Sequence, residues 1–192
     1  MLSILPLILI LTAPNDASRI SWEHHPVKLA IDNVEGYMLL NQPQKALSEI
    51  DRLENLSPRG SRVDPHKYAP FLRLLAHESM RDIDHFYVDA KQIAAVSEDD
   101  PKILNDVAWK IVDPHSKIPR RDWPLAVKLA ERAVRIEPRK SGYFDTLAWA
   151  YYGNRQNREA IRAETTALRM CVDDKEVAAC RAALSLFTKS PR

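Results

Sequence analysis

Glycine is scarce in this sequence, with only four among 192 residues. Phosphate-binding loops and tight hairpin turns rely on glycine, because it adopts positive φ angles without steric cost. The chain contains neither G-x-x-x-x-G-K-[ST] nor G-x-G-x-x-G, the two common nucleotide-binding patterns. The nucleophile-elbow pattern G-x-S-x-G is also absent. We therefore expect a protein that is not an enzyme and that uses no cofactor.

An excess of charge of one sign is missing as well. The chain carries 28 Lys and Arg against 26 Asp and Glu, which leaves a formal net charge of +2. Such a balance creates no long-range field for nucleic acid or an anionic membrane. With 45% hydrophobic and 28% charged residues, the composition is typical of a domain that buries a substantial core.

Only two cysteines are present, Cys171 and Cys180, and they form no C-x-x-C or other metal-binding spacing. In an exported protein this pair would be able to form a disulfide across the last helical turn. The alternative, which the sequence favours, is that both are small apolar core residues.

The six histidines form no recognisable metal-binding pattern. His24 and His25 are adjacent, and His77 and His85 are separated by a predicted turn without an H-E-x-x-H arrangement. We therefore expect histidines on the surface or at helix ends, and no metal site.

No apolar run is long enough to span a bilayer, which takes about 20 residues. Residues 2–12 are almost wholly apolar, and their length suits the hydrophobic region of a secretory signal. No Lys or Arg precedes them, and neither Ala13 nor Ala17 stands in a good cleavage site. The alternatives are a wrongly assigned start or a buried first helix. Export is the favoured interpretation, with the protein periplasmic or associated with the cell envelope, and with membrane contact only through this segment if it is retained.

What the sequence does contain is helical periodicity, interrupted by prolines. In residues 124–138, "PLAVKLAERAVRIEP", apolar side chains form one helical stripe, and a proline stands at each end. Eight further segments have the same character: 27–40, 43–56, 68–80, 84–97, 102–112, 142–152, 157–170 and 174–187. No segment alternates apolar and polar residues over a length that indicates a strand. The pattern therefore predicts an all-α chain of helix–turn–helix units.

Two of these units repeat each other. Ala126 aligns with Ala160 and Ala133 with Ala167, in each case 34 residues apart. The preceding helices, "LNDVAWKIV" from 104 and "FDTLAWAYY" from 144, align at an offset of 40, because the connection at 113–123 is six residues longer. A fixed period of this length is typical of stacked helical hairpins.

The repeat resembles the tetratricopeptide repeat (TPR) signature, W-x2-L-G-x2-Y followed by A-x3-F and P. The matching positions are Phe144, Leu147, Ala148, Tyr151, Ala160 and Ala167 in the last repeat, and Leu104, Val107, Ala108, Ile111, Ala126, Ala133 and Pro138 in the one before. Alanine suits the points where two helices cross closely. The departures are Ala130 and Glu164, which stand where the pattern prefers an aromatic residue.

The resemblance implies a TPR-like repeat solenoid with four regions. We expect an export signal or short anchor at 1–19, degenerate helical hairpins at 20–100, two TPR-like repeats at 101–172, and a capping helix and tail at 173–192. The repeats are also similar to TPR tails of exported bacterial thioredoxin-like proteins. No thioredoxin motif occurs here, so no redox activity is implied.

In TPR proteins the first helix of each repeat lines a concave groove that binds peptides or proteins. Carried over by position, the candidate contacts are Asn105, Trp109, Val112, Asp145, Trp149 and Tyr152. Trp and Tyr are frequent anchors at interfaces. The alternative is that Trp109 and Trp149 only fill space between helices. The Lys/Asn clamp that some TPR proteins use for a C-terminal carboxylate is missing, since Asp145 is acidic.

These observations predict a non-catalytic scaffold that binds another protein or a peptide in the groove, and not nucleic acid. The second hypothesis is a structural or self-associating module, a homo-oligomer whose docking surface lies in 24–100. An enzyme with a dispersed site is the third.

Overall fold

The computed structural model describes residues 24–56, 61, 63–96, 100–116 and 118–189, and these residues form nine α-helices and no strand. The helices are α1 Pro26–Leu39, α2 Pro43–Glu54, α3 Pro65–Met80, α4 Ile83–Val96, α5 Pro101–Val112, α6 Trp123–Ile136, α7 Ser141–Gly153, α8 Asn157–Met170 and α9 Asp174–Lys189. The all-α prediction is confirmed. The predicted export segment, 1–19, lies outside the described residues.

Four of the nine described helices, α1, α3, α5 and α6, begin where a proline and a capping side chain coincide. The carboxylate oxygens of Asp100 and Asp122 accept hydrogen bonds from the backbone N–H groups of Ile103 and Leu125, each at 3.0 Å. Proline fits the first turn because its missing N–H would have no partner there. The prediction for α3 is wrong at its start: the helix begins at Pro65, three residues before the predicted position, because Asp64 caps it.

The chain divides into two compact units, one ending at Ala90 and the other beginning at Lys91. In the first unit α1 packs on α2, α2 on α3, and α1 on α3. Its core consists of apolar side chains from these three helices: Val27, Ala30, Ile31, Val34, Ala46, Ile50, Leu53, Ala69, Leu72 and Ala76. Arg73 of α3 forms ion pairs with Asp51 at 3.0 Å and Glu54 at 2.9 Å, which join α2 to α3.

Two histidines of the first unit, His25 and His77, have structural partners. His25 caps α1, as predicted, since its Nδ1 accepts from the backbone N–H of Val27 at 3.2 Å. The prediction of surface or capping histidines is wrong for His77, which is buried with its Nδ1 2.6 Å from Oδ2 of Asp89. Burial raises the pKa of Asp89, and the hydrogen bond to His77 opposes that rise. The residue is therefore a core histidine that is paired with a core carboxyl.

In the second unit the helices pack in chain order, α5 on α6, α6 on α7, α7 on α8, and α8 on α9, and α5 also contacts α7. The alanines predicted at close crossings, Ala108, Ala126, Ala148 and Ala160, are all fully buried. A larger side chain at any of these positions would push the helices apart. The hairpins α5–α6 and α7–α8 thus stack directly, and α9 follows the second hairpin.

Arg121, in the connection between α5 and α6, contacts the end of α5 and the start of α6. The Arg121 guanidinium donates a hydrogen bond to the carbonyl oxygen of Val112 at 3.0 Å and lies over the ring of Trp123, 5.3 Å from its centroid. The Trp123 ring lies against Gly153, the last residue of α7. Glycine is needed at this position because a Cβ there would overlap the indole.

The first prediction concerns this contact. We expect Gly153→Ala to lower the free energy of unfolding by about 1–3 kcal/mol, because the added methyl would displace the rigid Trp123 ring. Gly142→Ala is the matched control, since it lies in the same helix with no neighbour near its added Cβ. It should be neutral or stabilising by up to about 1 kcal/mol. Urea denaturation of both variants tests this, and equal effects would contradict the proposed overlap.

Candidate functional site

An aromatic cluster joins α7 to α9 in the second unit. The ring of Phe187 stacks on Tyr152 at a centroid separation of 4.6 Å and meets Trp149 edge-to-face at 5.1 Å. Phe187 is only 1% exposed, whereas Trp149 and Tyr152 are half-buried. Edge-to-face and stacked pairs of this kind add stability beyond their buried area. The cluster therefore holds α9 against α7 and leaves part of the two α7 rings accessible.

The predicted contacts on α5 differ in accessibility. Asn105 and Trp109 are four residues apart, on one face of the helix, and both are half-buried. Within the part of the chain that the structure describes, Oδ1 of Asn105 is shielded from water and has no hydrogen-bond partner. Val112 is 1% exposed. Of the three, Asn105 and Trp109 have atoms that a ligand would reach.

On α7, the predicted contacts Asp145, Trp149 and Tyr152 lie beside α8 and α9. The structure therefore brings the three side chains together. The Trp149 and Tyr152 rings pack against the capping helix α9 and are also partly exposed at the surface. Phe187, to which both rings pack, was not among the predicted contacts. Its signal in the sequence is the apolar stripe of α9, Cys180, Ala183 and Phe187, the three residues of that helix that are buried. The binding role of all six residues stays a prediction.

An acidic cluster of Asp145, Glu164 and Cys180 adjoins the aromatic cluster, because Asp145 contacts the Trp149 indole. One ligand atom from each of Asp145, Glu164 and Cys180 lies within 4.8 Å of the others. Glu164 is 0% exposed, and neither of its carboxylate oxygens has a hydrogen-bond partner of normal geometry among the described residues. Burial of an unpartnered carboxylate costs several kcal/mol, so this group is not explained by packing.

The two carboxyl groups perturb each other. Burial raises the pKa of Glu164 to about 8, and the negative charge of Asp145 adds to that rise. Burial also raises the pKa of Asp145, against the opposing effect of contacts with the Glu164 carboxyl and the Trp149 indole. No cationic side chain is among the groups that shift either pKa. In the absence of a cation, the pair therefore holds at least one proton at neutral pH.

The two cysteines adjoin this cluster. Sγ of Cys171, just after α8, lies 3.3 Å from Sγ of Cys180 on α9, and both thiols are free. Burial raises the pKa of the Cys180 thiol, and its contacts with Cys171 and Glu164 add to the rise. The disulfide stays a prediction, which would require the two sulfur atoms to approach to about 2 Å.

A second group of potential metal ligands lies in the first unit, where His77, Asp82 and His85 bring ligand atoms within 4.8 Å of one another. Asp82 caps α4 and accepts from Nδ1 of the exposed His85 at 2.7 Å. Neither set of potential ligands is evident from the spacing of residues in the sequence, because its members lie on different helices that a turn brings together.

Comparison with known proteins rests on structure. No protein-family model matches the sequence, and no curated protein matches it. Solved structures that are similar in fold include two of the protein MamA. "MamA 41-end from Desulfovibrio magneticus RS-1" aligns with a TM-score of 0.59 and 17% identity over 84% of this chain and 83% of that one. "MamA RS-1 ArsTM double mutant" gives 0.54 and 15% over 85% and 94%.

MamA is a TPR-containing protein. The chain has a TPR-type fold. The resemblance inferred from the repeat at 101–172 is thus confirmed at the level of the fold, and α9 is the capping helix of the TPR-type array. Among the described helices of this TPR-type chain, none combines the length and apolar character that a membrane span requires.

The second prediction tests the aromatic cluster. We expect Phe187→Ala to lower the free energy of unfolding by about 3–5 kcal/mol, because it removes a fully buried ring from two aromatic contacts. The neighbouring Leu186→Ala is the control, because Leu186 is 44% exposed and its loss should cost less than about 1 kcal/mol. Similar losses in chemical denaturation would show that α9 is not held by Phe187.

The third prediction concerns Glu164. The pKa of Glu164 is raised to about 8 in the folded state, from an ordinary value of 4.5. At a pH between these two values, the carboxyl is protonated in the folded protein and releases its proton on unfolding. Stability should therefore fall as the pH rises through about 5 to 8, with a slope of at most about 1.4 kcal/mol per pH unit from this group. Glu164→Gln should flatten the dependence.

The measurement is urea denaturation at several pH values, with a reductant and a chelator present. Glu159→Gln, on the same helix, is the control, and it should keep the slope of the parent protein. A parent slope that Glu164→Gln leaves unchanged would mean that Glu164 is ionised in the folded protein.

Proposed function

We propose that the protein is a non-catalytic scaffold that binds a peptide or protein segment on the accessible faces of α5 and α7. The observation that carries this proposal is the placement of three partly accessible aromatic side chains, Trp109, Trp149 and Tyr152, on two helices in direct contact. Trp109 and Trp149 occupy equivalent positions in the two repeats. Large aromatic side chains give the most binding energy per residue when a partner buries them.

The chemistry of this surface suits an extended peptide with apolar side chains. The Asn105 amide oxygen is an acceptor without a partner among the described residues, one helical turn from Trp109. That oxygen is shielded from the surface, so contact with a bound segment would come from the NH2 group of the Asn105 amide, which donates to a backbone carbonyl oxygen. Asp145 lies next to Glu164 instead, so we assign it to the support of α7 and not to direct contact.

Support for a binding role over catalysis comes from where the titratable groups lie. Glu164 on α8 and Cys180 on α9 are both buried, so neither side chain is open to a substrate in solution. Repeat arrays of stacked helical hairpins commonly use their extended surfaces for binding. Export remains part of the proposal on the strength of residues 2–12, whose length suits a signal.

A second candidate, self-association, is favoured by the surface of α1 in the first unit. Leu39 and Leu40 are 75% and 67% exposed, and Leu29 is also an exposed large apolar side chain. Contiguous exposed apolar groups often mark a contact with another chain.

The fourth prediction tests both candidates in the native cells. A photoreactive benzoylphenylalanine in place of Trp109 should form a cross-link to a different protein, identified by mass spectrometry after fractionation of envelope and cytoplasm. The same residue in place of Lys128, exposed on α6, is the control and should give no such adduct. Photocross-linking does not require the surface to be destroyed, so loss of folding does not confuse the result.

The outcomes separate the hypotheses. Adducts only between copies of this chain, from a probe at Leu39, would favour self-association. Identical adducts from the Trp109 and Lys128 positions, or none from Trp109, would contradict a binding site on α5. Recovery of the protein in the cytoplasm alone would contradict export without affecting the binding proposal.

A further inference from the structure

Glu164 occupies a position where the TPR pattern places an aromatic residue, and the structure shows what surrounds it. The side chain is 0% exposed, and neither carboxylate oxygen has a hydrogen-bond partner of normal geometry among the described residues, although the Asp145 carboxyl and the Cys180 thiol contact it. Asp145, a second carboxyl, is its neighbour, and no cationic side chain acts on either. Burial of two adjacent negative charges is unfavourable, so a buried pair of carboxyl groups is stable only when it holds a proton or binds a cation.

Two cysteine thiols lie beside the carboxyl groups of Asp145 and Glu164. Cys180 is within 4.8 Å of both carboxyl groups, and Cys171 lies 3.3 Å from Cys180. Two ligands of one tetrahedral zinc ion at about 2.3 Å from the metal are about 3.8 Å apart, so the thiols need to separate by only about half an ångström. Three donors from α7, α8 and α9 thus lie together, and Cys171 in the α8–α9 turn is close enough to Cys180 to supply a fourth.

We propose that Asp145, Glu164, Cys171 and Cys180 form a structural site for a divalent transition-metal ion, with zinc as the preferred cation. Two thiolates exclude calcium and magnesium, which take oxygen ligands, and select zinc. Two thiolates and two carboxylates carry the same total charge as the four thiolates of common structural zinc sites. The bound cation takes the place of the proton that the carboxyl pair otherwise holds, and it neutralises the charge of both carboxylates.

The site has a mechanical role, because its ligands come from consecutive helices. Asp145 belongs to α7, Glu164 to α8 and Cys180 to α9, so one ion would connect the last hairpin to the capping helix. Metal binding requires both thiols in reduced, deprotonated form. A Cys171–Cys180 disulfide and a zinc ion therefore exclude each other.

The histidine grouping in the first unit is the competing location. There, Asp82 is already engaged as the cap of α4 and as the partner of His85. A metal at that grouping would have no sulfur ligand, which makes the two locations spectroscopically distinct.

The fifth prediction is tested on the full chain, fully reduced and metal-free. Titration with Co²⁺, a spectroscopic substitute for zinc, should give tetrahedral visible bands and a thiolate-to-cobalt charge-transfer band that saturate at one equivalent. Zn²⁺ should displace the Co²⁺ and raise the thermal unfolding temperature, and a chelator should reverse the rise. Glu164→Gln and Cys180→Ser should each weaken Zn²⁺ binding by more than about tenfold.

Glu159→Gln and His85→Ala are the controls and should bind as the parent does. The isosteric Glu164→Gln, whose folding is checked by circular dichroism, keeps the test decisive if Cys180→Ser does not fold. No metal binding by the reduced parent, binding without a thiolate band, or binding lost in His85→Ala but kept in Glu164→Gln would each overturn the proposal.

Discussion

The second unit depends on the contact between Phe187 of α9 and the two aromatic side chains of α7. A stacked array of helical hairpins always ends in an apolar face that has no further repeat to cover it. Here one buried phenylalanine meets both Trp149 and Tyr152, at 5.1 and 4.6 Å. The position of α9 in turn determines which parts of α7 remain accessible and which side chains become buried beneath it.

The burial of the acidic cluster is a consequence of that arrangement. Glu164 of α8 lies beside Asp145 of α7 and Cys180 of α9, so α9 contributes to the surroundings of the carboxyl. With α9 docked, Cys180 approaches the Asp145–Glu164 pair and burial raises the pKa of both carboxyl groups. The same helix that stabilises the unit through its aromatic contact therefore carries an electrostatic cost, which a proton or a cation offsets.

Much of the fold was predictable from the sequence because local signals agreed with one another. Prolines, capping aspartates and apolar stripes indicated the nine helical segments, and the 34-residue offset between Ala126 and Ala160 indicated the repeat. The predicted start of α3 at 68 missed Pro65, which occupies the first turn of the helix directly after the capping Asp64. The burial of His77 was missed because its partner, Asp89, lies on the next helix.

The candidate site was predictable only in part, for a physical reason. The positions of Trp109, Trp149 and Tyr152 follow from alignment with a repeat, which indicates the face of a helix but not what covers it. Phe187 and the grouping of Asp145, Glu164 and Cys180 depend on how α9 docks, and no spacing within one helix encodes that. The departure at Glu164 was nevertheless visible as a charged residue at an aromatic position, and such departures are where functional or compensating features concentrate.

The covering of α7 by Phe187 also has a consequence during synthesis. Phe187 is added to the growing chain thirty-five residues after Tyr152. At about 5–20 residues per second, a nascent chain carries the Trp149–Tyr152 pair uncovered for roughly 2–7 seconds. The aromatic contact therefore cannot form until α9 has been synthesised, and the speed of translation over α8 and α9 sets how long the second unit waits for it.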